Sequence, residues 1–296
     1  MQCYYLKIGK SNSLATDWLA GKNPLKCPAA VIFFGPRPIK DLHNNSQVND
    51  FYLSSLPEER DNTIMVTIGN GKAWFLKPAG EIVERVPPPD ATQSLDSLWK
   101  MMPVEVISEQ ELSKVPPVLA GINANAFLSR GTYRKISNWG NVKAIYCSLQ
   151  KPLPDEHLKM ENCNALRLFE CLSSVELETL IAKIFEAAGC FVPAYRGGYV
   201  RDVDLFVHND TDEGINLGSL IIPAHKGLSI QVKGRTWLQE CPREVDCLIG
   251  FGVPQAPNCF DEEWLLTQVR CFPKVNTWLN RSLDWLPQEF LIKCGL

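Results

Sequence analysis

The sequence predicts two domains, a β-rich α+β front half and a rear half of α/β class in which a mixed sheet is flanked by helices. Three observations carry this. A length of 296 residues suits two domains better than one small one. Strand-type runs and one strong hairpin signal dominate up to about residue 150. From Asn162 onwards, punctuated helices alternate with short strand-like runs. The boundary falls in the proline-containing linker Pro152 to His157, giving a front domain of residues 1–155 and a rear domain of residues 156–296.

In the front half, Tyr4 to Gly9 opens as a strand and Thr16 to Ala20 as a short helical turn. Ala29 to Gly35 is an apolar run stopped by Gly35 and Pro36. Thr63 to Ile68, then Gly69-Asn70-Gly71, then Lys72 to Lys77 reads as a hairpin, because Asn-Gly supplies the positive φ values its turn requires. Val83 to Val86 extends that sheet, and Val104 to Ile107 adds a strand. Leu119 to Leu128 reads as helical, and Val142 to Cys147 as a last strand. A β-rich module of this size suits a small barrel with Trp74, Phe75 and Trp99 in its core. The run Leu128-Ser-Arg-Gly-Thr-Tyr-Arg-Lys-Ile136 resembles segments of PUA/EVE-type modules, and that resemblance implies base reading by the front domain. Arg130 and Arg134 beside Tyr133 mix charge and ring in a way that suits nucleic-acid contact, and equally a solvated surface.

Composition narrows the function classes. A hydrophobic fraction of 45% with 21% charged residues is that of a globular protein. No apolar run approaches the ~20 residues that span a bilayer, and the first residues lack the order of a signal peptide. Eleven cysteines, an odd number at scattered spacings, suit a reducing compartment. A cytoplasmic protein without a membrane segment is expected. Cys241, Cys247, Cys259 and Cys271 contain no C-x-x-C pair, the spacing a structural zinc site needs. The net charge of −3 gives no bulk attraction to nucleic acid, which argues against a DNA-coating role and leaves a local basic groove open.

The rear half begins with a helix from Leu172 to Gly189, with Ser173 or Ser174 as N-cap and Gly189 as its stop. Leu177, Leu180, Ile181, Ile184 and Phe185 form its apolar stripe. Glu176 falls on the polar side, expected in water, and Glu178 at the stripe's edge, where a carboxylate wants a partner. Cys190 to Pro193 is a short strand, and Gly197-Gly198 permits a close turn. Val203 to Val207 is a strand with Asp204 set into an apolar run and Asp202 on the same face. Leu217 to Ile222 reads as another strand, and Gly227 to Gly234 as the strand that turns Gln231 and Lys233 to one face. Asp261 to Arg270 is a helix with an acidic first turn, and Asn276 to Leu286 an amphipathic one whose Trp278 suits a cover for the sheet or a dimer contact.

An acid on a helix, an acid on a strand and a Gln-x-Lys on the next strand form a constellation for metal and phosphate. Asp204 is the expected ligand of Mg²⁺ (Mn²⁺ as substitute), with Gln231 offering a carbonyl oxygen and Glu178 binding the metal or orienting its water. Lys233 would polarise the attacking water or neutralise phosphoryl charge. Arg196, Arg201 and Arg235 flank the set in sequence and are candidate phosphate contacts. His208 and His225 have no spacing that suggests a ligand role. Leu177-Glu178, Gly197-Gly198, Val203-Asp204 and Ile230-Gln-Val-Lys233, in this order over residues 170–236, resemble the Mrr-like branch of the PD-(D/E)xK restriction-endonuclease superfamily. The resemblance implies a restriction-endonuclease-like sheet and metal-dependent DNA cleavage in restriction or antiphage defence, with the front domain as reader of a target or modified base. The polar insertion between Asp204 and Gln231 departs from the family's tighter connection. DNA is the expected partner, with a homodimer or a partner subunit of a defence system for double-strand cutting. A catalytically silent nuclease-fold binding or sensor protein is the alternative that the neutral Gln231 and the negative net charge favour, and an RNA or branched substrate stays open.

Overall fold

The computed structural model describes residues 2–9, 12–33, 37–41, 44–87, 98–124, 132–151, 163–194, 203–234 and 238–296. The chain divides into two units, Met1–Pro154 and Asp155–Leu296.

The first unit runs β1 (Gln2–Leu6), α1 (Ala15–Leu19), β2 (Ala29–Phe33), α2 (Ser46–Ser54), α3 (Pro57–Arg60), β3 (Thr63–Gly69), β4 (Lys72–Pro78), β5 (Val83–Arg85), β6 (Trp99–Glu111), α4 (Pro117–Ala120), β7 (Tyr133–Lys135) and α5 (Trp139–Leu149). Its strands form a curled mixed sheet in the order β2-β6-β4-β3-β1-β7, with β5 also on β6. The path ends at β2 and β7, which no ladder joins among the described residues. The β3–β4 hairpin closes through Gly69↔Lys72, and φ is 50° at Asn70 and 74° at Gly71. Both values lie in the left-handed region that a two-residue turn matching the strand twist needs. Strand β6 is 13 residues long, against the four expected, and pairs with β2 and β5 along its first part and with β4 along its second. Tyr4, Leu6, Val31, Ile32, Met65, Trp74, Leu76, Trp99 and Tyr133 fill the core beside it.

One predicted strand is a helix. Val142 to Cys147 lies inside α5, started by Asn138, whose side chain accepts the Asn141 N–H at 2.9 Å. Ala144, Ile145 and Tyr146 are all buried in succession. A short apolar run buried on nearly every side carries no period, so the β-branched and aromatic content misled the reading. The predicted helix from Leu119 is a short α4 followed by a 3₁₀ turn, Gly121–Ala124, and its remainder lies outside the described residues.

The second unit runs α6 (Ala165–Phe169), α7 (Ser174–Ala187), β8 (Phe191–Ala194), β9 (Leu205–His208), β10 (Ile215–Leu217), β11 (Leu220–Ile222), β12 (Gly227–Gly234), β13 (Cys247–Phe251), β14 (Cys259–Phe260), α8 (Glu262–Cys271), α9 (Pro273–Ser282) and α10 (Gln288–Lys293). A five-stranded mixed sheet has the order β14-β13-β12-β9-β8. Strands β8, β9 and β12 are antiparallel in turn, and β12, β13 and β14 are parallel. Helix α7 packs on β8, β9 and β12, α8 on β13 and β14, and these two join α9 in one helical layer. Leu180, Ile181, Ile184 and Phe185 of α7, with Leu205, Val207, Ile230, Cys247 and Ile249 of the sheet, are buried almost completely. The expected strand Leu217 to Ile222 is instead the separate hairpin β10–β11, held to α8 by Trp264 Nε1 and Gln268 Nε2 donating to the Leu217 carbonyl at 3.0 and 3.2 Å. Among the described residues no helix is long and apolar enough to cross a membrane.

Glu176, expected in water, closes the start of α7 instead. Ser173 Oγ accepts the Glu176 N–H, and the Glu176 carboxylate accepts the Ser173 N–H at 2.9 Å and Oγ–H at 2.8 Å. Burial pushes the Glu176 carboxyl up, and the two Ser173 bonds oppose that. Ser173→Ala is expected to lower stability by about 1 kcal/mol in urea denaturation, the usual worth of such a cap.

Candidate active site

Strand β12 positions two of the four predicted groups. Residues two apart share a strand face, so Gln231 and Lys233 lie on one side, with Ile230 and Val232 on the other. Gln231 is buried, at 3% exposure, whereas the Lys233 side chain keeps 40% of its surface. Ladder pairing places Lys233 beside Gly250 of β13 and Gln231 beside Leu248.

Asp204 does not sit within a strand, as expected, but just before β9 begins at Leu205. Its backbone N–H donates to the Ile230 carbonyl at 2.9 Å. Its Oδ2 accepts the Val232 N–H at 2.7 Å, so a carboxylate stands where a ladder carbonyl would otherwise be. A short acidic side chain at a strand start competes for backbone donors in this way, and the apolar run around Asp204 concealed it. Lys233 Nζ lies 3.7 Å from the same Oδ2. Asp204, just before β9, and Lys233, on β12, are thus brought together, and Asp204 keeps 28% of its side-chain surface exposed.

Glu178 lies in the second turn of α7, half-buried beside Ile181, Ala182 and Phe185, on the helix that covers β9 and β12. Arg134 is half-buried on β7, where it pairs with Tyr5 of β1. Arg130, Arg196, Arg201, Arg235, Asp202 and the Gly197-Gly198 turn lie outside the described residues.

The sequence reading missed β13, and with it Gly250. The run Cys247-Leu-Ile-Gly-Phe251 is apolar and bounded by Asp246 and Gly252, which was the available signal for a buried strand. Burial raises the thiols of Cys241, Cys247 and Cys259 at this edge of the sheet, with Cys259, Cys241 and Glu240 respectively the strongest charge contributions after it. No group of three or more His, Cys, Asp or Glu side chains converges as a metal site among the described residues.

Asp204 and Gln231 supply oxygen donors of the kind a magnesium ion takes. Mg²⁺ takes hard oxygen ligands, retains several waters and needs only one or two carboxylates from the protein. Asp204 offers a carboxylate on a side chain that keeps 28% of its surface exposed, and Gln231 a buried amide carbonyl. Both are oxygen donors, and neither is a soft ligand that would select zinc. No family model, curated protein or solved structure matches the chain.

Proposed function

We propose that the second unit is a metal-dependent phosphodiesterase of the PD-(D/E)xK class, cutting DNA as an endonuclease in restriction or antiphage defence. The observation that carries this reading is the meeting of Asp204 and Lys233 at 3.7 Å, with Asp204 fixed by the Val232 amide. The element order also supports it, because α7, the Asp204 position and β12 follow one another as helix-Glu, Asp and Gln-x-Lys do in the resemblance. The five-stranded mixed sheet under a helical layer suits a restriction-endonuclease-like core.

Each side chain has a defined part. Asp204 and Gln231 would hold Mg²⁺ (or Mn²⁺), which when bound lowers the pKa of water and neutralises phosphoryl charge. Val232 N–H fixes one oxygen of Asp204, so the other is presented in one orientation. Lys233 carries its positive charge toward the non-bridging phosphoryl oxygens, where charge grows in the transition state. Glu178, in the second turn of α7 at the edge of its apolar stripe, would accept a hydrogen bond from the attacking water. The front unit would hold the target, and a second copy would supply the second cut of a duplex.

The test is cleavage of plasmid and of methylated, single-stranded and branched DNA by the full chain, with Mg²⁺ or Mn²⁺ and with EDTA. Metal-dependent products are expected from the wild type and none from Asp204→Asn, which keeps an oxygen for the Val232 N–H and removes the charge. Equal cleavage by Asp204→Asn defeats the reading. Binding without a product under either metal, unaltered by EDTA, would instead favour the silent sensor, in which the Asp204–Lys233 pair serves only structure.

A further inference from the structure

Gly250 occupies an interior position of β13 that an alanine does not fit. A Cβ there would lie 1.7 Å from the carbonyl oxygen of Lys233 and 2.8 Å from its carbonyl carbon. Real Cβ atoms essentially never come within 3.0 Å of such neighbours. The atoms it would meet are backbone, paired to Gly250 across the parallel ladder, and cannot swing aside as the end of a side chain does. The next residue of β12 is bare for a related reason. A Cβ on Gly234 would meet the Phe251 ring, 2.5 Å from Cζ. Glycine inside a strand weakens it relative to alanine, and it often marks a close approach of two backbones. Here two glycines, one on each strand, bracket a single peptide, and that peptide belongs to Lys233.

We infer that Gly250 is a positioning residue for Lys233. Its missing side chain lets β13 seat against the Lys233 carbonyl, which sets the lysine Cα at the height from which Nζ meets Asp204. A side chain at this position would push β12 away from β13 and toward β9. It would displace Lys233 and the Val232 N–H that holds Asp204. The functional consequence rests on the phosphodiesterase reading, while the positional claim rests on backbone geometry alone.

The experiment uses Gly250→Ala in the full chain with two readouts. The first is amide exchange at Val232, with Leu180 in the buried face of α7 as reference. The second is kcat and KM for metal-dependent DNA cleavage. Exchange at Val232 is expected to quicken at least tenfold while Leu180 is unchanged. Cleavage is expected to lose about a hundredfold in kcat with little change in KM, the scale of a displacement near 1 Å. Wild-type exchange at Val232 together with a wild-type kcat overturns the inference.

Should Gly250→Ala not fold, Gly234→Ala and the double variant Gly234→Ala/Phe251→Leu replace it. The ring is the obstacle in that case, so the double variant is expected to recover Val232 protection and kcat over the single one. A double variant no better than the single one counts against the inference. If the wild type cuts nothing, the phosphodiesterase reading fails, and the exchange comparison still decides whether Gly250 positions the lysine.

Discussion

Lys233→Ala is expected to reduce metal-dependent cleavage by roughly 10² to 10³, the usual loss on removing one charge-stabilising donor from a transition state. Its fold should survive. A half-exposed ion pair contributes at most about 1 kcal/mol, because solvent screens it and two flexible side chains are ordered to make it. The Asp204–Lys233 pair, with 28% and 40% of the side-chain surfaces exposed, belongs to that class. A loss of this size in rate beside a stability change under about 1 kcal/mol separates chemistry from architecture.

Asp204 offers no such clean separation. Its carboxylate accepts the Val232 N–H, and a hydrogen bond to a charged group is worth about 1.5–3 kcal/mol. Truncating it would damage both the site and the β9–β12 junction, so the lysine is the better probe. Lys233→Arg sharpens the result. It keeps the charge but presents a planar fork in place of a compact ammonium, and should recover only part of the rate. Wild-type cleavage by Lys233→Ala, measured as initial rates on a plasmid, removes the lysine from the reaction.

Much of the rear unit was legible in the sequence for local reasons. Helix α7 carried an N-cap, an apolar stripe and a terminal glycine within one window. Strand β12 carried Gln231 and Lys233 on one face by simple alternation. What the sequence hid depends on neighbours far along the chain. The role of Gly250 exists only because β13 lies against Lys233, which is a fact of pairing between strands. Asp204 looked like a strand residue because Val203, Leu205 and Val207 are apolar, yet the backbone donor it captures belongs to Val232 on another strand. In the front unit the Asn70-Gly71 turn was readable because left-handed φ values select those residues. Strand β6 was read short because Pro103 interrupts it on one side of Val104 to Ile107 and Glu109 and Glu111 make it polar on the other, and only its pairing with β2 and β4 shows it to run from Trp99 to Glu111.

Asn12 is the strongest instance of such a hidden residue, and Asn12→Ala is expected to cost the first unit about 4 kcal/mol. The side chain is 1% exposed and makes four bonds. Its Oδ1 accepts the Ile8 N–H at 2.7 Å and the Thr67 hydroxyl at 3.0 Å. Its Nδ2 donates to the Ile68 carbonyl at 2.7 Å and to the Tyr5 hydroxyl at 3.0 Å. These bonds tie the segment after β1 to β3, two regions more than fifty residues apart in the chain. In the alanine variant the two hydroxyls can rotate toward other partners. The Ile8 N–H is fixed by the backbone and stays buried, at about 1–3 kcal/mol when left unsatisfied, and the lost bond to the Ile68 carbonyl adds about 1 kcal/mol. Alanine at a φ of 61° adds about 1 kcal/mol, since asparagine tolerates the left-handed region and alanine does not. Asn12→Gly separates the contributions, because it removes the bonds and accepts the dihedral, and should be the milder variant by about that last amount. Asn12→Asp keeps two acceptor bonds but sets a buried carboxylate against the Ile68 carbonyl, and should not rescue. Amide exchange at Met65 and Val66 in β3 reads the effect within the first unit, whatever the second does. About 4 kcal/mol corresponds to exchange faster by roughly 10³ if those amides open with the whole unit. A change below tenfold would mean that water or a shifted loop replaces the side chain, and that the β1–β3 pairing stands without it.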